Sequence, residues 1–311
     1  MIRRWFARTL AALATTTAVL LGAALFIAYA WQPTPVTYDS PYLAEIQSRY
    51  VDTPVARFHY TRTGQGSPVV LVAGGGQWLY SYRHLVPVLA ERHTVYAVDL
   101  PGQGYTTLTE PGFGYDLDAM SGALGDFMTA VGLRRASLVG HSWGGSWSMR
   151  FAQLDPDRVD RLVLIGSTGL DVPSSPDWRP LEVPVLGELI GKLMRESDAV
   201  TMQRKAFANP IPDEVVAENW APMSRPENRE AMWTLQRNLD FSITQERMPR
   251  MTTPTFILWG AADRFDHPSQ APDMAGRIPG ATYQVLPGCG HNTHEDCPAE
   301  ANPLIAGFLA Q

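Results

Sequence analysis

Residues 140–145 read Gly-His-Ser-Trp-Gly-Gly, a G-x-S-x-G motif. An apolar run, Ser137-Leu138-Val139, enters it, and a helical pattern from Trp143 to Leu154 leaves it. A serine on a sharp turn between strand and helix projects its hydroxyl above the sheet edge. The small residues around it relieve the crowding of strand against helix. The chemistry open to Ser142 is covalent nucleophilic catalysis. A serine hydroxyl is a poor nucleophile at neutral pH, so a base must take its proton during attack. The motif alone is weak. Its rival is a plain glycine turn such as a phosphate-binding loop, but the full glycine spacing of a dinucleotide or P-loop fingerprint is missing.

The elements that must hold such a turn alternate along the chain. Short apolar runs at Val69–Val72, Thr94–Val98, Ala136–Val139, Arg161–Ile165, Thr255–Trp259 and Thr282–Leu286 predict strands. Helical spacing predicts helices at Tyr80–Glu91, around Met120–Val131, at Trp143–Leu154 and at about Ala299–Leu309. Alternation of this kind implies a mainly parallel α/β sheet with helices on both faces and a site at the carboxyl ends of the strands. One stretch, Asp171–Met251, has helical patterning and several prolines but no convincing strand. It reads as a helical cap inserted over the site. The expected organisation is a leader at 1–31, a linker and lead-in at 32–50, core at 51–170, cap at 171–251 and core again at 252–311.

Composition limits the function. The 311 residues carry 25 Lys+Arg against 31 Asp+Glu, a net charge of −6, with no basic cluster. That argues against a nucleic-acid partner; the expected partner, a small-molecule substrate, follows from the serine chemistry instead. Arg3, Arg4 and Arg8 precede an uncharged stretch, Thr9–Ala30, whose 22 residues would reach about 33 Å as a helix, enough for a hydrocarbon core of about 30 Å. The positive flank should stay cytoplasmic, leaving everything after Trp31 outside. Two readings stand. The apolar length favours an uncleaved membrane anchor. Ala28-Tyr29-Ala30 fits a small-x-small cleavage site and a removed signal. The residues Arg3-Arg4-Trp5-Phe6 faintly resemble a twin-arginine signal.

Beyond the elbow, Trp259-Gly260-Ala261-Ala262-Asp263, Gly288-Cys289-Gly290-His291 and Asp99-Leu100-Pro101-Gly102-Gln103-Gly104 each follow a strand. With the elbow, and in this order, they resemble the α/β-hydrolases from about Val51 to Leu309, interrupted by the cap. The resemblance implies an eight-stranded-type sheet and a triad in which Ser142 is the nucleophile, His291 the base and Asp263 the acid that orients it. It also implies an oxyanion hole formed by the backbone N–H of Trp143 and one from the loop after Val72. Gly75 is the expected donor, with Gly76 one residue away. Here the sequence departs from the pattern, because Ala73 stands where many relatives carry histidine. Asp266 is a rival acid and His294 a rival base, more readily a lip or helix-start residue. His141 is expected at the elbow, and His59, His84, His93 and His267 as surface or framework residues. Relatives that open epoxides or displace halide carry a carboxylate at the elbow, where this chain has Ser142. Asp99 is therefore expected only to shape its turn.

Cys289 and Cys297 flank His291. They are either a staple across the histidine loop or two free thiols. Neither they nor any histidine–carboxylate group has convincing metal-ligand spacing, so no metal and no cofactor are expected. The cap's Trp178, Trp220, Trp233, Met194, Met202, Phe207, Met223, Met232 and Phe241 could line an apolar pocket or form the cap's own core. The expected function is a serine hydrolase cleaving a small, largely apolar carboxylic ester. Behind it stand an aminopeptidase or amidase and a carbon–carbon bond hydrolase of the same fold. From another class comes a non-catalytic ligand-binding protein of that fold.

Overall fold

The computed structural model describes residues 2–109, 111–173 and 175–311. Nine strands form one sheet among them: β1 (Arg49–Asp52), β2 (Ala56–Thr63), β3 (Ser67–Val72), β4 (His93–Val98), β5 (Thr107–Leu108), β6 (Ala136–His141), β7 (Val159–Ile165), β8 (Thr255–Gly260) and β9 (Thr282–Leu286). Eight run in the order β1-β2-β4-β3-β6-β7-β8-β9, with β5 added to β2. From β4 to β9 every pairing is parallel, and β1 and β2 complete the sheet antiparallel. The central strands β4, β6 and β8 are buried along their whole length, as parallel strands covered on both faces must be.

The helices are α1 (Ile2–Tyr29), α2 (Pro41–Glu45), α3 (Leu85–Ala90), α4 (Leu117–Ala130), α5 (Trp143–Leu154), α6 (Arg179–Glu182), α7 (Leu186–Leu193), α8 (Glu196–Ala206), α9 (Asp213–Met223), α10 (Pro226–Asn238), α11 (Ser242–Gln245), α12 (Gln270–Arg277), α13 (Thr293–Asp296) and α14 (Pro298–Leu309). One hydrophobic core joins the sheet to α4, α5 and α12. A second joins the other face to α3 and α14. All described α-helices between β7 and β8 fall in α6–α11, so the stretch from Asp171 to Met251 contains no described strand.

One expectation needs correction, and one element was missed. The helix read over Tyr80–Glu91 is a single 3-10 turn at Leu79–Tyr82 followed by α3. Pro87 explains the break, because its ring would strike the carbonyl four residues earlier, at Arg83, if one helix ran through. The hairpin β1–β2 was not read from the sequence. Its alternation is obscured by polar residues that the fold buries, among them His59.

The segment from α1 to β1 is strapped to the helical insert. Lys192 Nζ on α7 donates to Trp31 O at 2.7 Å, and Val36 N to Ser224 Oγ at 2.8 Å. Ser40 caps α2 through Leu43 N and donates to the carboxylate of Glu218, which is buried in α9. Tyr42 N reaches the same carboxylate at 3.2 Å. Tyr42 also packs edge-on against Trp78 and Tyr80 of the core. The strap thus touches insert and core together.

Candidate active site

Ser142 stands between β6 and α5 with φ +51°, a left-handed conformation that a non-glycine residue adopts only when its surroundings impose it. Its N–H donates to Ile165 O on β7, and its carbonyl accepts from Gly145 N, both at 3.0 Å. The helix leaves so tightly that a Cβ at Gly144 would lie 2.3–2.4 Å from the carbonyls of Ala73 and Val72. That is why position 144, two residues after Ser142, has no side chain.

His291 and Asp263 come from the loops after β9 and β8. His291 Nδ1 meets Asp263 Oδ2 at 2.7 Å. The other carboxylate oxygen accepts the N–H groups of Phe265 and Asp266 at 2.8 and 3.0 Å. Asp263 is therefore fixed before it touches the histidine. Burial works against a charge on His291, but the charge and hydrogen bond of Asp263 outweigh it and raise the pKa above 6.5. Ser142 and His291 line one cavity, together with Trp143 and Gly75. Its volume, open mouth included, is about 1060 Å³.

The two other nearby histidines are pushed the opposite way. His141 and His294 are fully buried, and desolvation lowers both, His294 to about 3. His141 lies 4.8 Å from His291 between ring centroids and holds that residue's carbonyl through Nε2 at 3.2 Å. His294 lies in α13 with no hydrogen-bond partner on either ring nitrogen, packed on Tyr82 and His141. It is buried at the start of α13, so of the two places read from the sequence, lip or helix start, the structure gives the helix start. Asp266 does line the cavity, but its carboxyl makes no bond to His291. Desolvation pushes its pKa up to about 6. His59 is framework, buried against Asp99 at 2.7 Å.

The loop after β3 carries the expected second oxyanion donor. A Cβ at Gly75 would fall 2.2 Å from the Trp143 ring, so glycine there lets the loop close on that indole. The support for this loop was not read from the sequence. Gln103 Nε2 donates to the carbonyls of both Ala73 and Gly74 at 2.8 Å, and its Oε1 accepts from Leu100 N. The carbonyl of Gly74 and the N–H of Gly75 belong to one planar, trans peptide. Holding the carbonyl fixes the opposite direction of that N–H, and a peptide whose carbonyl is engaged donates more strongly. Gln103 thus holds the loop at the two peptides around Ala73 and Gly74. A glutamine three residues into a turn carries no signal of that role in a lone sequence.

Of the insert's apolar residues, Trp178, Met202, Met223 and Phe241 line the cavity. Trp220, Met223 and Met232 are buried in a cluster internal to the insert, with Trp178, Met194 and Met202 packed on it, so Trp178, Met202 and Met223 serve both. Trp233 packs on Gly191 of α7, and Phe207 joins the second core, with α3 and α14. Cys289 and Cys297 are disulfide-bonded, and the bridge closes the short loop that carries His291. Among the described residues, no group of three or more His, Cys, Asp or Glu side chains is placed to hold a metal ion.

Comparison with known proteins matches this geometry to a family. A family model for the alpha/beta hydrolase fold matches residues 67–298. The 2-hydroxy-6-oxo-6-phenylhexa-2,4-dienoate hydrolase of Burkholderia cepacia is 27% identical over 271 residues, 82% of this chain and 91% of that protein. Haloalkane dehalogenase 2 of Mycobacterium tuberculosis is 29% identical over 280 residues, 83% of this chain and 93% of that protein. The crystal structure of a membrane phospholipase A superposes with a TM-score of 0.74 at 23% identity, covering 99% of this chain and 98% of that one. The chain belongs to the alpha/beta hydrolase fold family, and it is a hydrolase.

Proposed function

We propose that the protein is a serine hydrolase that cleaves a carboxylic ester with a largely apolar acyl or alcohol part. The observation that carries this reading is the bond from Asp263 to His291 on the wall of the cavity into which Ser142 is turned by its positive φ. In the proposed reaction His291 Nε2 takes the proton of Ser142 Oγ as the oxygen attacks the ester carbonyl. Asp263 stabilises the imidazolium. The N–H groups of Trp143 and Gly75 receive the oxyanion; Trp143 opens α5, where the first amides lack carbonyl partners in the preceding turn. His291 then gives the proton to the leaving alcohol. Water, activated by the same histidine, releases the acid from Ser142.

Trp178, Met202, Met223 and Phe241 make the cavity wall apolar and adaptable, which suits an acyl chain. A serine at the elbow supports acyl transfer over the halide displacement named for the dehalogenase relative. The second reading is hydrolysis of a carbon–carbon bond, the activity named for the Burkholderia cepacia relative. We also propose that residues 171–251 act as a cap and that α1 is an uncleaved anchor holding the catalytic part outside the cytoplasm. By length and composition Arg4–Tyr29 is able to cross a membrane.

The test is hydrolysis of a p-nitrophenyl ester series, acetyl to long acyl, by the full chain in detergent, beside Ser142→Ala. Turnover that vanishes in the variant supports the ester reading, and the chain-length profile sizes the pocket. Absence of ester turnover, with Ser142 still labelled by an organophosphonate, moves the reading to carbon–carbon bonds or peptides. Failure to take the label in folded protein removes the enzyme mechanism. A mature N-terminus at Trp31 removes the anchor.

A further inference from the structure

Helix α7 is inside out. Its sequence, LGELIGKL, places Leu186, Leu189, Ile190 and Leu193 on one stripe, with Gly187, Glu188, Gly191 and Lys192 opposite. In a water-soluble helix the leucine stripe faces the core. Here Glu188 and Lys192 are 7% and 5% exposed, whereas Leu186 and Leu193 at the two ends of the stripe are 43% and 51% exposed, Leu189 and Ile190 between them are half-buried, and Val183 just before is 50% exposed. The charged face is satisfied by the insert and by the strap. Glu188 pairs with Arg237 at 2.6 and 2.8 Å, and Lys192 holds Trp31 O. The glycines admit neighbours closely, Trp233 at Gly191 and the Leu181 carbonyl at Gly187. The helix is therefore locked in this orientation by specific contacts, with its apolar stripe outward.

Its neighbour identifies what meets that stripe. α7 packs against α1. The residues of α1 that lose exposure are Ala24, Ile27 and Ala28, on one face of its last two turns. The uncharged part of α1 begins at Thr9, and about 20 residues at 1.5 Å each fill a hydrocarbon core of about 30 Å. Ala24–Tyr29 then occupies the outermost ~9 Å of the span, the depth at which interfacial amphipathic helices lie. Whatever packs there sits at the outer boundary of the bilayer.

We propose that the outward stripe of α7, with Val183, is a second membrane contact that lies in the lipid interface beside the anchor. This rests on the anchor reading of α1. Its occupant is the acyl–headgroup boundary of the outer leaflet, because the helix that carries the stripe packs on the membrane-crossing helix and the stripe carries no charge. Since α7 belongs to the insert that roofs the cavity, the contact presents the insert, not the sheet, to the bilayer.

The experiment uses the full chain reconstituted in phospholipid nanodiscs. The native cysteines are bridged and no other thiol exists, so one introduced cysteine takes a nitroxide label uniquely. Labels are placed by Leu186→Cys and Leu193→Cys, by Leu20→Cys within α1, and by Leu154→Cys. Leu154 is an equally exposed leucine at the end of α5 remote from the site. Collision with oxygen, which concentrates in bilayers, is compared with collision with a water-soluble nickel chelate. The expected result is oxygen-dominated relaxation at 20, 186 and 193 and nickel-dominated relaxation at 154, the ratios differing several-fold. Nickel-dominated labels at 186 and 193 with an oxygen-dominated label at 20 overturn the proposal and leave the anchor standing. Labels at 186 and 193 shielded from both reagents also overturn it, in favour of a second copy of the chain. A nickel-dominated label at 20 overturns the anchor, and this proposal with it.

Discussion

Two buried histidine–aspartate pairs occur in this molecule with the same geometry. His291 Nδ1 meets Asp263 Oδ2 at 2.7 Å, and His59 Nδ1 meets Asp99 Oδ2 at 2.7 Å. The second pair even carries a serine, with Ser48 Oγ 2.9 Å from His59 Nε2. By hydrogen bonds alone Ser48–His59–Asp99 is a Ser-His-Asp chain. Its surroundings differ. His59 and Asp99 are fully buried and absent from the lining of the cavity that holds Ser142 and His291. Ser48 lies in the lead-in to β1, not on a strained elbow before a helix. Asp99 is occupied as a hub, accepting the N–H groups of Leu79 and Tyr105 as well as His59. The contrast teaches that a Ser-His-Asp chain of hydrogen bonds does not by itself mark a candidate site; the proposed one adds a cavity, a forced serine and the first amides of a helix.

Substitutions in matched positions break or sharpen that contrast. The largest effect is expected at the serines. Ser142→Ala should lower kcat by on the order of 10⁴-fold or more, whereas Ser48→Ala should leave it unchanged; a loss from the Ser48 variant would place the chemistry at the wrong pair. The aspartates come next. Asp263→Asn should cost roughly 10⁴-fold in kcat because the imidazole is held in the wrong tautomer. Asp99→Asn should instead cost about 2 kcal/mol of stability, read by denaturant melting, with turnover per folded molecule retained.

Gln103 gives a smaller and more selective effect. Gln103→Glu keeps the acceptor for Leu100 N but turns an oxygen toward the Ala73 and Gly74 carbonyls. It should lower kcat by roughly tenfold to a hundredfold, less than deletion of an oxyanion donor, with KM little changed. Equal losses in kcat and stability, or a change in KM alone, would remove the positioning role. The smallest effect concerns pH. His291 must be neutral to act as base, so kcat/KM should fall as pH drops through a pKa displaced above 6.5. The charge of Asp266 contributes to that displacement. Asp266→Asn should therefore move the acid limb to lower pH without abolishing activity, as a pH–rate profile would show.

The parallel strands and the elbow were legible because apolar runs and a glycine-flanked serine have few alternative meanings. The positions of Asp263 and His291 were legible from the order of strand-end motifs, and the structure brings these two side chains together on the wall of the Ser142 cavity. What escaped depends on contacts between distant segments. The β1–β2 hairpin buries His59, which the sequence left open between surface and framework. Gln103 acts across a gap of some thirty residues on carbonyls, which have no residue identity to read. The division of the insert's tryptophans and methionines between cavity and internal cluster is a matter of which way each helix is rolled. Helix α7 is the plainest instance: its pattern states which residues share a face but not that the leucine face turns outward.

The strap from Trp31 to Tyr42 bears on how substrate enters. It ties α7 through Lys192 and α9 through Glu218 and Ser224 to one continuous stretch of chain, which Tyr42 then pins to the core. An insert tied at two of its helices cannot swing as a hinged lid without breaking these bonds together, the buried Ser40–Glu218 pair among them. For the proposed hydrolase this sets an expectation: the mouth keeps a fixed width, and esters should be sorted by their girth before the serine meets them.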